Sequence, residues 1–120
     1  MKTLKDLTNI INEFCDTRDW KNDDPNQLIS SMLIELGELA EHYQWENHFK
    51  EYDDNKKREM GYEFVDILFY LLRIASKSDI DIEKYFDEKI IKLEKKFPVG
   101  ADSLEQRKLY REKGLNKIYE

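Results

Sequence analysis

A chain of 120 residues with 26 acidic against 20 basic residues carries a net charge of −6, which argues against a duplex nucleic-acid binder, since that needs basic patches to neutralise phosphates. With 40% hydrophobic and 38% charged residues but only four Gly and two Pro, it reads as one helix-rich domain, long enough to bury a core without staples. The single cysteine, Cys15, excludes an intrachain disulfide and reads as a small buried hydrophobe, in keeping with a reducing cytoplasm.

Taken in order, the N-terminal "MKTLKDLTNII" is interrupted by Lys5 and Asp6 and lacks the long apolar core of a signal peptide. A first helix is expected from about Lys5 to Arg18, with Leu4, Leu7, Ile10, Ile11 and Phe14 at helical spacing. The Asn, Asp and Pro of "DWKNDDPN" end it, and Pro25 opens a second helix running to about Phe49. That helix is expected to bury Met32, Leu36, Leu39 and Tyr43, yet it carries Glu35 and Glu38 at or beside the apolar stripe. A third helix follows from about Asn55 to Ser76, capped by Asp53 or Asp54. Its segment "FVDILFYLLRIA" is too short and too charged, with Asp66 and Arg73, to span a bilayer. Apolar residues cover nearly its whole circumference, which predicts a central helix or one face packed on a second subunit. A fourth helix is expected from about Ile82 to Lys96, stopped by Pro98 and Gly100, and a last one from Ser103 to Lys113. Short connections favour antiparallel neighbours, so the expected fold is all-α: a four-helix bundle over residues 1–99 with a helical tail over 100–120, forming a homodimer or homotetramer.

Glu63 and Asp66 on the third helix repeat the three-residue spacing of Glu35 and Glu38 on the second. Residues three apart share a helix side, so two packed helices can bring four carboxylates together. Unpaired, these would repel one another and some would take up protons; a hard divalent cation such as Mg²⁺ resolves the conflict. One ExxE is a weak sign and two pairs are a stronger one, while a merely solvated acidic face stays open. His42 shares the stripe of Glu35 and Glu38 but reads as a solvent-edge residue, and His48 has no evident partner.

The ExxE of "IELGELAE" followed by the ExxD of "YEFVD" resembles the MazG-like all-α nucleoside triphosphate pyrophosphohydrolases, closest to the branch that includes the dCTP pyrophosphatases. "EFCDTRDW", "ELAEHYQW", "DILFY" and "KKFPV" stand in the order of that family, and the likeness runs from about Glu13 to Val99. The resemblance implies that Glu35, Glu38, Glu63 and Asp66 bind Mg²⁺ (or Mn²⁺ in its place) and serve catalysis, splitting a nucleoside triphosphate into monophosphate and pyrophosphate. It also implies that Trp20, Trp45 and Tyr70 surround the nucleotide and that Lys89 contacts phosphate, with no nucleic-acid or membrane partner.

Three positions depart from the family pattern. Ile11 stands where a base-reading His is found, Leu93 where many relatives carry Asn, and Arg73 where the residue is usually apolar. These leave the nucleobase open, with dCTP, dUTP, phosphoribosyl-ATP or a non-canonical nucleotide as the alternatives. From other classes come a non-catalytic oligomerisation module and, ranked last, a carboxylate-bridged redox-metal bundle, which would want Glu-x-x-His pairs.

Overall fold

The computed structural model describes residues 1–20, 23–44, 51–100 and 103–112. The described residues form five helices and no strand, so the fold is all-α as expected: α1 (Leu4–Asp16), α2 (Pro25–Gln44), α3 (Asp54–Lys77), α4 (Ile82–Lys96) and α5 (Ser103–Glu112). The chain divides into two compact units, Met1–Ile80 and Asp81–Glu120.

Local chemistry sets the helix ends of the first unit. Thr3 and Asp6 form a reciprocal capping box at α1, the Thr3 hydroxyl accepting from the Asp6 N–H at 3.1 Å and the Asp6 carboxylate from the Thr3 N–H at 2.9 Å. Pro25 occupies the first position of α2, where its missing N–H costs nothing, and the Asp24 carboxylate accepts from the Asn26 N–H. At α3 it is Asp53 that caps, accepting from the Lys56 N–H at 2.8 Å. Both α1 and α3 close on an aspartate in the left-handed region, Asp19 at φ 58° and Asp79 at φ 55°. The following N–H groups, of Trp20 and Ile80, then return to the carbonyls of Cys15 and Ala75. This is the Schellman pattern, with Asp in the place more often held by Gly.

Packing in this unit centres on α3, which lies against both α2 and α1. The α2–α3 pair is antiparallel: the Tyr43 and Tyr52 rings meet at 6.3 Å near the connection, and Glu35 lies one further stretch along, opposite Glu63. The α1–α3 pair is antiparallel too, since Asn12 reaches Ser76 while Phe14 meets Phe69. Ile11, Cys15, Leu28, Met60 and Leu72 form the buried core, so the place of the family's His is filled by a core side chain, and Cys15 is buried as expected. The prediction that α3 is either central or covered by a second subunit resolves unevenly. Leu72 and Met60 are buried, but Phe64, Val65 and Leu71 on the same helix are 53%, 58% and 44% exposed.

In the second unit, Asp81 caps α4 by accepting from the Lys84 N–H, and the helix ends at Phe97, whose N–H returns to the Leu93 carbonyl. Gly100 then takes a φ of 89°, which only glycine adopts freely. Among the described residues, no helix is long and apolar enough to cross a membrane.

Candidate functional site

The α2 seam differs from its expected composition at one residue. Leu28, Ser31, Met32, Glu35, Leu39, His42 and Tyr43 are the buried or half-buried positions, whereas Leu36 is 41% exposed. Helix α2 carries two apolar stripes, and the one that faces α3 takes Glu35 into its middle. Leu36 belongs to the other stripe, with Ile29 and Leu33, and points away from the seam. A carboxylate therefore interrupts the helix–helix contact itself.

Opposite it, α3 presents Glu63, half-buried, and Asp66, exposed. One oxygen from each of Glu35, Glu63 and Asp66 lies within 4.8 Å of the others, the separation at which a single cation bridges carboxylates. The fourth predicted acid, Glu38, does not join that triplet; it stands exposed beside Glu35 and adds its negative charge. Burial, a hydrogen bond to Glu63 that only a protonated carboxyl can donate, and the charges of Glu38 and Asp66 push the Glu35 carboxyl up to about 7. Glu35 Oε2 and Glu63 Oε2 are both buried and accept no hydrogen bond. Buried carboxylate oxygens without a donor, in a cluster of three acids, are unfavourable alone and suited to a hard divalent cation, so the donor set fits Mg²⁺ or Mn²⁺. His42 is half-buried and is not part of the triplet.

A row of aromatic rings runs from the end of α1 toward this cluster. Trp20 meets Phe14 edge-on at 5.8 Å, Phe14 meets Phe69 at 5.9 Å, and Phe69 meets Tyr70 at 5.9 Å. Tyr70 is half-buried one helical turn beyond Asp66, and Trp20 remains 48% exposed at the far end. Two predicted aromatics are thus joined to the acids through α3. Trp45 and His48 lie outside the described residues. Lys89 is half-buried on α4 in the second unit.

Arg73 was legible only as an oddity in an apolar segment, and its surroundings were not. It is 5% exposed and its fork is satisfied by the end of α1 and the segment after it. Nε and Nη2 donate to the two oxygens of Asp23 at 3.3 and 3.4 Å, and Nη1 donates to Asn12 Oδ1 at 2.8 Å. Nη2 also donates to the Trp20 carbonyl at 3.0 Å, and Asp16 stands 3.8 Å away. Burial alone would raise the Asp23 carboxyl, but hydrogen bonds from Arg73 and its own backbone, with the charges of Arg73 and Lys77, hold it below the usual range. The Pro- and Asp-rich segment that reads as a breaker in sequence is therefore also a clamp on α3.

Comparison with known proteins bears on the family. The sequence model of the family described as dUTPase matches residues 1–113. The chain is 28% identical over 102 residues to dCTP pyrophosphatase 1 of Rattus norvegicus and of Mus musculus, covering 81% of this chain and 60% of each relative. To dCTP pyrophosphatase 1 of Homo sapiens it is 29% identical over 85 residues, covering 67% of this chain and 50% of that protein. The chain thus spans about 60% or less of the length of the curated relatives it matches. The acid-bearing helices α2 and α3, the all-α fold and a match over nearly the whole sequence place this chain in the dUTPase family of MazG-like all-α nucleoside triphosphate pyrophosphatases, in its dCTP pyrophosphatase-like branch.

Proposed function

We propose that the protein is a Mg²⁺-dependent nucleotide pyrophosphohydrolase. It converts a (deoxy)nucleoside triphosphate, dCTP or a related or non-canonical dNTP, to the monophosphate and pyrophosphate, and so cleans the nucleotide pool. The observation that carries this is the Glu35, Glu63 and Asp66 triplet, one oxygen of each within 4.8 Å of the others, with a buried, unpartnered Oε2 on both glutamates, in a chain of this family.

Glu35, Glu63 and Asp66 would hold the metal, with Glu38 completing the acidic quartet from the rim. When bound, Mg²⁺ neutralises phosphate charge, polarises the phosphoryl oxygen and lowers the pKa of bound water. A carboxylate of the quartet orients the attacking water and takes its proton. The water oxygen bonds to the α-phosphorus as the bond to the α–β bridging oxygen breaks, and pyrophosphate leaves. The exposed indole of Trp20, with Trp45 and Tyr70, offers flat faces for the base.

The half-exposed apolar side chains of α2 and α3 support assembly as a homodimer or homotetramer, since an isolated monomer rarely leaves so many large apolar residues in water. Residues 1–99 would form the catalytic domain and 100–120 a tail, in the cytoplasm. The test is pyrophosphate release from a panel of dNTPs, NTPs, phosphoribosyl-ATP and modified nucleotides, with and without Mg²⁺, alongside Glu38→Ala and Asp66→Ala. Metal-dependent release lost in both variants is the expected result, and the fastest nucleotide names the substrate. No turnover on any nucleotide, with folded variants indistinguishable from the parent, would leave an oligomerisation module with a solvated acidic face.

A further inference from the structure

Arg73 is the one charged residue among the described residues that is buried, and burying a guanidinium is unfavourable unless its donors are met. An apolar side chain would fill the same place in α3 at less cost. What the guanidinium adds is a set of directed bonds, and one of them ends on the Trp20 carbonyl at 3.0 Å. The Trp20 N–H is held from the other side by the Cys15 carbonyl, also at 3.0 Å, with Asp19 in the left-handed conformation before it. Both polar groups of Trp20's backbone are therefore fixed, while its side chain is the exposed end of the aromatic row that leads to Tyr70. Asp23 and Asn12 orient the fork, and Asn12 is itself fixed by donating to Ser76 Oγ at 2.8 Å.

We propose that Arg73 is a positioning residue for nucleotide binding, holding the Trp20 backbone so that the indole stands ready to stack on the base. This rests on the pyrophosphohydrolase reading and on Trp20 as a stacking residue. Arg73 touches neither the acids nor, in this reading, the substrate, so its effect belongs in KM and not in kcat. Preorganising an aromatic surface lowers the ordering cost at binding.

The test uses the full chain with its fastest nucleotide and saturating Mg²⁺. Arg73→Lys keeps the charge but not the planar fork, and is expected to raise KM while leaving kcat within about threefold. The rise is bounded by the loss of one base–aromatic stack, roughly 5- to 150-fold. Trp20→Ala is expected to raise KM at least as far, and adding Arg73→Lys to it to change KM little further, because the two act through one contact. Multiplying effects, an unchanged KM in Arg73→Lys, or a loss confined to kcat would overturn the proposal.

A second measurement needs no turnover. The chain has two Trp, so Trp45→Phe isolates the Trp20 signal. In that protein Arg73→Lys is expected to increase quenching of Trp20 by acrylamide and to lower its fluorescence anisotropy; unchanged values would overturn the proposal. If Arg73→Lys fails to fold, Asp23→Asn carries both measurements, with a smaller rise in KM expected and no change overturning the idea. A parent inactive on every nucleotide would instead sink the functional reading, and this proposal with it.

Discussion

Replacing Glu35 by Gln should have opposite effects on stability and on metal response. At 4.8 Å, two ionised carboxylates repel by about 0.9 kcal/mol in water and about 3.5 kcal/mol at an effective dielectric of ~20. The cluster is half-buried, with Asp66 open to solvent, so about 1–3 kcal/mol brackets the strain on an ionised Glu35. Its folded pKa of about 7 lies above its ordinary value of 4.5. The folded protein thus keeps a proton that the unfolded chain has released, and stability falls as pH climbs from about 4.5 through 7. The amide of the Glu35→Gln variant carries no charge at any pH. Without metal at pH 8, Glu35→Gln is therefore expected to melt about 4–12 °C higher than the parent, taking about 4 °C per kcal/mol for a domain of this length. At pH 5 the gap should shrink to a small part of this, and at about pH 3.5 the two should coincide, because Glu35 is then protonated in the folded and the unfolded chain alike. With Mg²⁺ at about 100 times its Kd, the parent should gain roughly 2.7 kcal/mol, and the variant much less. Thermal melts at these pH values in EDTA and in Mg²⁺ read all of these. A variant less stable than the parent at pH 8 in EDTA, or one with the full Mg²⁺ response, would refute the reasoning.

The core and the helices yield simpler expectations. Leu72 is 2% exposed at the centre of α3, so Leu72→Ala should cost about 2–5 kcal/mol, read as a lower urea midpoint with an unchanged slope. Burial pushes the Cys15 thiol up and leaves it 1% exposed, so it should not react with an aromatic disulfide reagent at pH 8 until the protein unfolds; fast native labelling would contradict its placement. A Cβ at Gly37 meets nothing within 4 Å, and Gly37→Ala in the middle of α2 should stabilise by about 0.5–1 kcal/mol. A drop in melting temperature there would put another subunit against that face. Removing the α1 cap with Thr3→Ala should cost about 1 kcal/mol in the same melts.

What the sequence by itself determined is local. The Asp, Asn, Pro and Gly breakers marked where helices start and stop, and the observed ends of α1 to α4 fall within about two residues of expectation wherever residues are described, because caps and turns depend on neighbours in the chain. The i, i+3 pairs of acids were equally legible, since helical spacing alone puts each pair on one side. Tertiary structure decided which faces meet. Helix α2 offers two apolar stripes, and periodicity cannot tell which one α3 will cover; the choice placed Glu35, not Leu36, in the seam. That choice also set which acids converge: Glu35, Glu63 and Asp66 form the triplet, with Glu38 at its rim. The clamp of Arg73 on Asn12, Trp20 and Asp23 joins residues 50 to 61 positions apart, and such contacts leave no periodic trace in the sequence. A charged residue in an apolar run was the only outward sign that a distant partner had to be waiting for it.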